Sequence, residues 1–328
     1  MLILGLESTA HTFSAGIVDD AGNVLNLVSD TYIPETGGLH PLKTAMHHQD
    51  CFDGVISTTV KEAKVSIRDI DLIAFSQGPG LGPCLRIGAT IARTLSAGLR
   101  IPMVGVNHCV AHVEIGRVAC GCDDPLCLYV SGGNTIISAL KCGRYQVFGE
   151  TLDIALGNML DTFAREAGLA HPGGPKIEQL ARKSDLLLDL PYVVKGMDLS
   201  FSGILTSAIR LLAKHDLEDI ANSLQETTFA MLAEVTERAV AHTGKEEVLL
   251  TGGVAANDRL KKMIDIVALE QDASFHVVPR KLAGDNGAMI AWTGFLQFDQ
   301  GNTTSLEESR VMPNWRLDQV DIPWRQER

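Results

Sequence analysis

Two short segments of this chain carry the same pattern, and that repetition limits the fold more than any other feature. Leu2-Ile3-Leu4-Gly5-Leu6-Glu7 is strand-like, Ser8-Thr9-Ala10-His11-Thr12 is a small polar turn, and Phe13 to Val18 is a second strand closed by Asp19-Asp20-Ala21-Gly22-Asn23. The unit returns at Leu126-Cys127-Leu128-Tyr129-Val130, with the turn Ser131-Gly132-Gly133-Asn134-Thr135 and the strand Ile136 to Leu140. A β-hairpin with a polar tip, repeated far along the chain, predicts internal duplication. The length agrees, because 328 residues exceed what one hydrophobic core ordinarily serves, and two lobes are expected.

The intervening sequence alternates. Helical spacing of apolar residues covers Lys43 to Lys64, a short strand Leu72 to Phe75 follows, then a helix Ile87 to Leu99 and a strand Pro102 to Val106. The second half predicts helices at Leu156 to Gly168, Pro175 to Lys183, Phe201 to Lys214 and Ile220 to His242, and a strand at Glu247 to Leu250. Helices at Asp258 to Glu270 and Gly287 to Leu296 complete it. Such alternation is the mark of the α/β class. The expected division is an N-terminal lobe over 1–124, completed by 294–328, and a C-terminal lobe over 125–293 with glycine turns and a helical insertion.

No stretch approaches the roughly 18 uninterrupted apolar residues of a membrane-spanning helix. MLILGLES has neither a basic region nor a small-residue cleavage site, so a cytoplasmic protein is expected. The seven cysteines are odd in number, and Cys84, Cys109 and Cys127 sit in apolar runs, which predicts reduced thiols rather than a disulfide framework. Cys120, Cys122 and Cys127 lack the paired spacings of a zinc site. The net charge of −12 argues against gripping nucleic acid by overall field. Any such contact needs a local patch, for which Lys261, Lys262, Arg280 and Lys281 are available, or a partner.

Three glycine-bearing turns, Ser131 to Thr135, His171 to Pro175 and Thr251 to Asn257, are each expected to follow a strand. Glycine lets backbone amides approach a ligand, and a helix N-terminus after the turn favours phosphate. One such turn is an ordinary tight turn, whereas three beside the hydroxyl-rich tip at Ser8 and Thr9 suggest a nucleotide. Neither GxxxxGKS/T nor a helix-opening GxGxxG is present. The duplicated hairpin with glycine turns instead resembles the actin-like ATPase superfamily of Hsp70 chaperones and sugar kinases.

Asn107-His108-Cys109-Val110-Ala111-His112 follows a strand and opens a helix with Asn107 as its cap. Histidines four apart share one helical face, as a metal ion requires, and two structural histidines are the alternative. A zinc protease needs HExxH, and no Glu lies between these residues. In Asp285-Asn286-Gly287-Ala288-Met289 either polar residue can cap the next helix, and metal ligation by Asp285 is the other reading. Asp161 and Glu178 lie on helix faces beside glycine turns, where a solvated charge is the simpler role.

As a set, NHCVAH, LYVSGGNT, LGNMLDTFAREAGLAHPGGPKIEQLA, DLSFSGILT, LLTGGVAAN and DNGAMIA, in this order over nearly the whole chain, resemble the universal tRNA threonylcarbamoyladenosine transferase family. That family is called TsaD in bacteria and is the catalytic subunit of the KEOPS complex in archaea and eukaryotes. ESTAHT and GLHPLKTAMHH are similar to the archaeal and eukaryotic branch. The resemblance implies an actin-like, Hsp70-like (ASKHA) fold of two duplicated lobes with mixed sheets flanked by helices. It implies transfer of threonylcarbamoyl from threonylcarbamoyl-adenylate to the exocyclic amine of adenosine 37 in tRNAs reading codons that begin with A.

It also implies one divalent metal on His108, His112 and Asp285, with the phenol oxygen of Tyr129. Two imidazoles and a carboxylate suit iron or zinc better than magnesium. An adenine nucleotide (threonylcarbamoyl-adenylate, ATP or AMP) is implied at Tyr129, Val130, Ser131, Gly132 and Gly133 for its phosphate and acyl region, with Asp161, Gly174, Glu178 and Asn257 around ribose and adenine. Glu7 is the candidate proton acceptor, and a structural hydrogen-bonding role is its alternative. The implied partners are tRNA, a small dimerising subunit, an accessory subunit and a kinase-like ATPase, which some archaeal relatives carry fused after their last helix; no membrane is implied. Leu282-Ala283-Gly284 departs from the Cys or Thr the family often has there. Two other function classes remain, a small-molecule kinase of the same superfamily and a non-catalytic nucleotide-switch module, and neither explains the histidine pair.

Overall fold

The computed structural model describes residues 1–34 and 38–325, so the last three positions of the expected 294–328 segment lie outside the described residues. The elements run β1 (Leu2–Glu7), β2 (Thr12–Asp19), β3 (Val24–Thr31), α1 (Pro41–Glu62), β4 (Leu72–Gly78), α2 (Gly82–Leu99), β5 (Met103–Asn107) and α3 (His108–Cys120). Next come β6 (Leu126–Val130), β7 (Thr135–Lys141), β8 (Arg144–Glu150), α4 (Leu156–Glu166), α5 (Gly173–Ala181), β9 (Val194–Lys195), β10 (Asp198–Leu199), α6 (Ser202–Leu211) and α7 (Leu217–Thr243). The chain continues through β11 (Glu247–Thr251), α8 (Asp258–Glu270), β12 (Ser274–Val277), α9 (Arg280–Ala283) and α10 (Gly287–Asp299). It divides into two compact units, the first Met1–Ala119, Lys141–Tyr145 and Asp285–Arg328, the second Cys120–Leu140 and Gln146–Gly284.

In the first unit β1 pairs antiparallel with β2 and parallel with β4, which pairs parallel with β5, giving the order β3-β2-β1-β4-β5. Side chains alternate across a strand, so the two faces of this sheet are set by parity. Leu4 and Leu6 join Phe13, Ala15, Ile17, Ile73 and Phe75 in one core with Val55 of α1 and Ala89 and Ala92 of α2. Gly5 and Glu7 face the other way, and there α10 lies directly on the sheet. A Cβ on Gly5 would sit 2.1 Å from the Gly287 carbonyl oxygen, and one on Gly287 would sit 2.3 Å from the Gly16 nitrogen. Glycine at these positions is what lets a helix end touch the hairpin backbone. The Ser14 hydroxyl accepts the Gly287 N–H at 3.0 Å and fixes the contact.

The second unit has the order β12-β11-β6-β7-β8, with β6 antiparallel to β7 and parallel to β11, and β11 parallel to β12. Outward from β6 this repeats the plan found outward from β1, so the duplication expected from the hairpins is present in the topology. Leu126, Leu128 and Val130 pack with Met159, Leu160 and Phe163 of α4, Ile204 of α6, Leu224 and Leu232 of α7, and Ile264 of α8. The long α7 stops where Gly244 adopts φ of 65°, a left-handed conformation that favours glycine.

Five strands were not legible in the sequence, the two-residue pair β9 and β10 and three longer ones. β3, β8 and β12 are edge strands, partly open to solvent, and lack the apolar runs that mark the central strands. The turn His171–Pro175 follows helix α4, not a strand as expected. The segment 285–293, which the sequence division put in the C-terminal lobe, groups with the first unit because α10 packs on its sheet. No helix among the described residues is long and apolar enough to cross a membrane. The cysteines are reduced thiols.

Candidate metal centre and nucleotide turns

The first unit gathers Glu7, His108, His112 and Asp285, residues drawn from three distant parts of the chain. Asn107 ends β5 and caps α3 as expected, its Oδ1 accepting the N–H groups of Cys109 at 3.0 Å and Val110 at 3.2 Å. The helix therefore begins at His108 and presents both histidines from one face, with ring centroids 4.7 Å apart at 83°. Asn286, not Asp285, is the cap of α10, accepting the Met289 N–H at 3.0 Å. The aspartate is thereby released for another role. Its Oδ1 lies 3.2 Å from His112 Nε2 and 3.5 Å from His108 Nε2.

Glu7 stands behind this group. Its Oε2 lies 2.9 Å from His108 Nδ1, its Oε1 accepts the Thr9 N–H at 2.6 Å, and it is fully buried. Both oxygens are thus engaged, which is the structural hydrogen-bonding role. A carboxylate on one imidazole nitrogen turns the other nitrogen toward a ligand. The Thr9 hydroxyl, 3.3 Å from the same Nδ1, supports that orientation.

Electrostatics agree with the geometry. Burial pushes His108 down, but Glu7 and Asp285 outweigh it and raise its pKa to about 9. Burial holds His112 below the usual imidazole range. Burial alone would raise Asp285, yet His108 and His112 keep it below the usual carboxylate range. Burial, with Asp285 and Glu7 nearby, pushes the Cys109 thiol up to about 12, so that neighbour stays protonated. A buried carboxylate, Glu7, and a half-buried one, Asp285, facing two imidazoles carry an excess of negative charge that a divalent cation would neutralise. One ligand atom from each of His108, His112 and Asp285 lies within 4.8 Å of the others. The donor set fits iron or zinc.

The second unit holds the remaining expected residues at the ends of β6 and β11 and the starts of α5 and α8. Tyr129 and Val130 are buried at the end of β6, and the Tyr129 phenol oxygen accepts the Asn134 side-chain N–H at 3.4 Å. The Ser131 hydroxyl accepts N–H groups from Gly133 at 3.3 Å and Asn134 at 3.0 Å, shaping the turn. Gly132 and Gly133 are exposed, and a Cβ on either would meet open space.

Asp161, Glu178 and Asn257 all hold helix ends. Asp161 Oδ1 accepts the Gly173 N–H at 2.7 Å where α5 begins, one residue before the half-buried Gly174. Glu178 Oε1 accepts the Asp258 N–H at 3.0 Å and an Arg182 N–H at 2.7 Å. Asn257 caps α8 through Arg259 and Leu260 and donates its amide to Gln225 at 3.1 Å. Asp161 and Glu178 are therefore bound into structure rather than simply solvated.

Sequence reasoning missed Ser14, which seats α10, and Asp153. The Asp153 carboxylate accepts hydroxyls of Ser200 and Ser202 and N–H groups of Ile154, Phe201 and Ser202 at the start of α6. Apart from Ile154 its partners lie far along the chain, so no local spacing marks it.

Comparisons with known proteins bear on this arrangement. The family model for TsaD, tRNA N6-adenosine threonylcarbamoyltransferase, matches residues 23–292. A probable bifunctional tRNA threonylcarbamoyladenosine biosynthesis protein of Methanothermobacter thermautotrophicus is 55% identical over all of this chain, which spans 61% of that protein's length. The tRNA N6-adenosine threonylcarbamoyltransferases of Methanococcoides burtonii and Thermococcus sibiricus are each 55% identical. The alignment covers 98% of this chain and 97% of the first, and 99% of this chain and 100% of the second.

Among solved structures, Thermococcus kodakarensis HypF superposes with a TM-score of 0.64 at 17% identity, over 91% of this chain and 48% of that one. The activator of 2-hydroxyisocaproyl-CoA dehydratase from Clostridium difficile gives 0.58 at 12% identity, over 92% and 97%. These distant likenesses speak to the fold alone, which is the duplicated actin-like one. With a family match over most of its length and relatives more than half identical from end to end, the chain belongs to the tRNA N6-adenosine threonylcarbamoyltransferase family.

Proposed function

We propose that this chain transfers the threonylcarbamoyl group of threonylcarbamoyl-adenylate to the exocyclic amine of adenosine 37 in tRNAs reading codons that begin with A, as the catalytic subunit of a KEOPS-type assembly. In the reaction a C–N bond forms between the amine and the carbamoyl carbon. The bond from that carbon to the phosphate oxygen breaks, AMP leaves, and the amine gives up one proton.

The observation that carries this reading is the meeting of His108 and His112 Nε2 on Asp285 Oδ1 in a chain of this family. These three residues would hold one divalent iron or zinc ion. When bound, the cation supplies a Lewis acid for the acyl oxygen. Glu7 positions His108 through Nδ1 and leaves Nε2 for the ion. Ser131, Gly132 and Gly133, with Tyr129 and Val130 behind them, take the phosphate and acyl region, where exposed backbone allows close approach. Asp161, Gly174, Glu178 and Asn257 take ribose and adenine, because carboxylates and a carboxamide match hydroxyl and ring donors.

The net charge of −12 leaves tRNA binding to partners, a small dimerising subunit, an accessory subunit and a kinase-like ATPase. The bifunctional name of the Methanothermobacter relative is consistent with that last partner being fused. A cytoplasmic location follows from a tRNA substrate.

The test is nucleoside mass spectrometry of unmodified tRNA after mixing with this chain, its partners and preformed threonylcarbamoyl-adenylate. Threonylcarbamoyladenosine is expected with the native chain and not with His108→Ala. Absence of product with the native chain, partners bound and donor intact, would overturn the reading.

A further inference from the structure

A second group of ligating side chains lies on the first unit, away from the histidines of α3. His47 and Cys51 are one turn apart on α1 and so share a face. Asp30, near the end of edge strand β3, reaches the same place. One ligand atom from each, an imidazole nitrogen, a carboxylate oxygen and the Cys51 sulfur, lies within 4.8 Å of the others. His47 Nε2 is 3.2 Å from Asp30 Oδ1, yet it is a buried nitrogen with no hydrogen-bond partner among the described residues. The contact therefore has the distance of a shared ligand shell without the alignment of a hydrogen bond. The adjacent histidine is engaged elsewhere. His48 is fully buried, its Nε2 lying 2.9 Å from the Ala10 carbonyl oxygen, which leaves His47 alone to face Asp30.

We propose that Asp30, His47 and Cys51 form a second cation site, taking a borderline-soft divalent ion such as zinc or cobalt with water in the fourth position. Thiolate and imidazole select such ions over magnesium or calcium, which prefer oxygen. Ligand atoms around a tetrahedral zinc lie roughly 3.5 Å apart for bonds of ~2.0–2.3 Å. The His47–Asp30 spacing already meets this, and Cys51 reaches it by a side-chain adjustment. Burial, together with Asp30, pushes the Cys51 thiol up to about 11, so binding displaces its proton to solvent. The ion would tie an edge strand, paired on one side only by β2, to the helix beside it.

The test is a cobalt(II) titration of the full chain after chelator treatment, read by the thiolate-to-cobalt charge-transfer band in the near ultraviolet. The centre at His108, His112 and Asp285 contains no sulfur ligand and is silent in this band. The native chain and His108→Ala are expected to develop the band, saturating at one equivalent per thiolate site. Cys51→Ser is expected to lose it entirely, with unchanged transfer activity. His47→Gln keeps the thiol and is expected to weaken cobalt binding by more than the roughly 10-fold loss typical of removing a supporting outer partner. No band in the native chain, its persistence in Cys51→Ser, or unaltered affinity in His47→Gln would each overturn the site and leave an ordinary surface Asp–His pair.

Discussion

After β1 the chain turns through Glu7, Ser8 and Thr9, all buried; after β6, at the same place in the same topology, it turns through Ser131, Gly132 and Gly133, whose glycines stand exposed. The first turn is closed by packing, with α10 pressed on its hairpin and Glu7 locked against His108. The second is closed by its own backbone and one serine hydroxyl. One plan thus offers two kinds of turn. Buried side chains of fixed orientation suit a metal ion, and bare backbone suits a phosphate. Duplication supplied the scaffold twice, and the residues at the strand ends determine which ligand each copy suits.

This contrast can be broken in four places. Gly5→Ala puts a methyl group against backbone atoms that cannot move aside, so a loss of about 3 kcal/mol in unfolding free energy is expected. Gly132→Ala meets open space and should change stability by no more than about 0.5 kcal/mol. Denaturant melts of the two variants, if equal, would remove the distinction between a packed and an open turn.

Glu7→Gln tests orientation in the first unit. Metal affinity is expected to fall by about 10–100-fold, as for other outer partners of ligating histidines, with adenylate affinity unchanged. Competition against a chromogenic chelator measures it, and an unchanged affinity would return Glu7 to the list of possible bases. Glu178→Ala tests the second unit from the opposite side. Its adenylate dissociation constant should rise about tenfold, or roughly 1.4 kcal/mol, while bound metal stays constant. Calorimetric titration showing no change would remove Glu178 from the nucleotide set and leave it as the partner of Asp258 and Arg182.

A pH-dependent effect concerns Asp153. Burial raises its pKa, but hydroxyls of Ser200 and Ser202 and the N–H groups of Phe201 and Ile154 outweigh that and hold it below the carboxylate range. A depressed folded pKa contributes stability that is present above the unfolded value near 3.9 and is lost as pH falls toward the folded one. Asp153→Asn should therefore cost about 1 kcal/mol near neutrality, a size reduced by solvent screening, and the gap from the native chain should close in acid below about pH 4. A gap that is constant with pH would show that the charge contributes nothing.

The sequence was most legible where chemistry and local spacing coincide. The two hairpins, the cap at Asn107 and the i, i+4 histidines each needed only neighbouring residues, and each forms as expected. Edge strands β3, β8 and β12 were hidden because a half-solvated strand carries no apolar run. Glu7 could be identified as interesting, but its partner His108 is distant in the chain, and only the folded sheet shows both oxygens engaged. Asp285 was ambiguous for the same reason. Two polar residues preceded one helix, and the backbone assigned the cap to Asn286.

The most direct test of the proposed division between a first unit suited to a metal and a second unit suited to a nucleotide is elemental mass spectrometry of purified chains, with Cys51→Ser in both so that only one site is counted. The native-like chain is predicted to carry about one iron or zinc per molecule and the His108→Ala chain almost none, both folded by circular dichroism and the metal-poor chain melting lower. Equal metal in the two chains would contradict the account, because the ion would then not depend on the histidine that Glu7 orients.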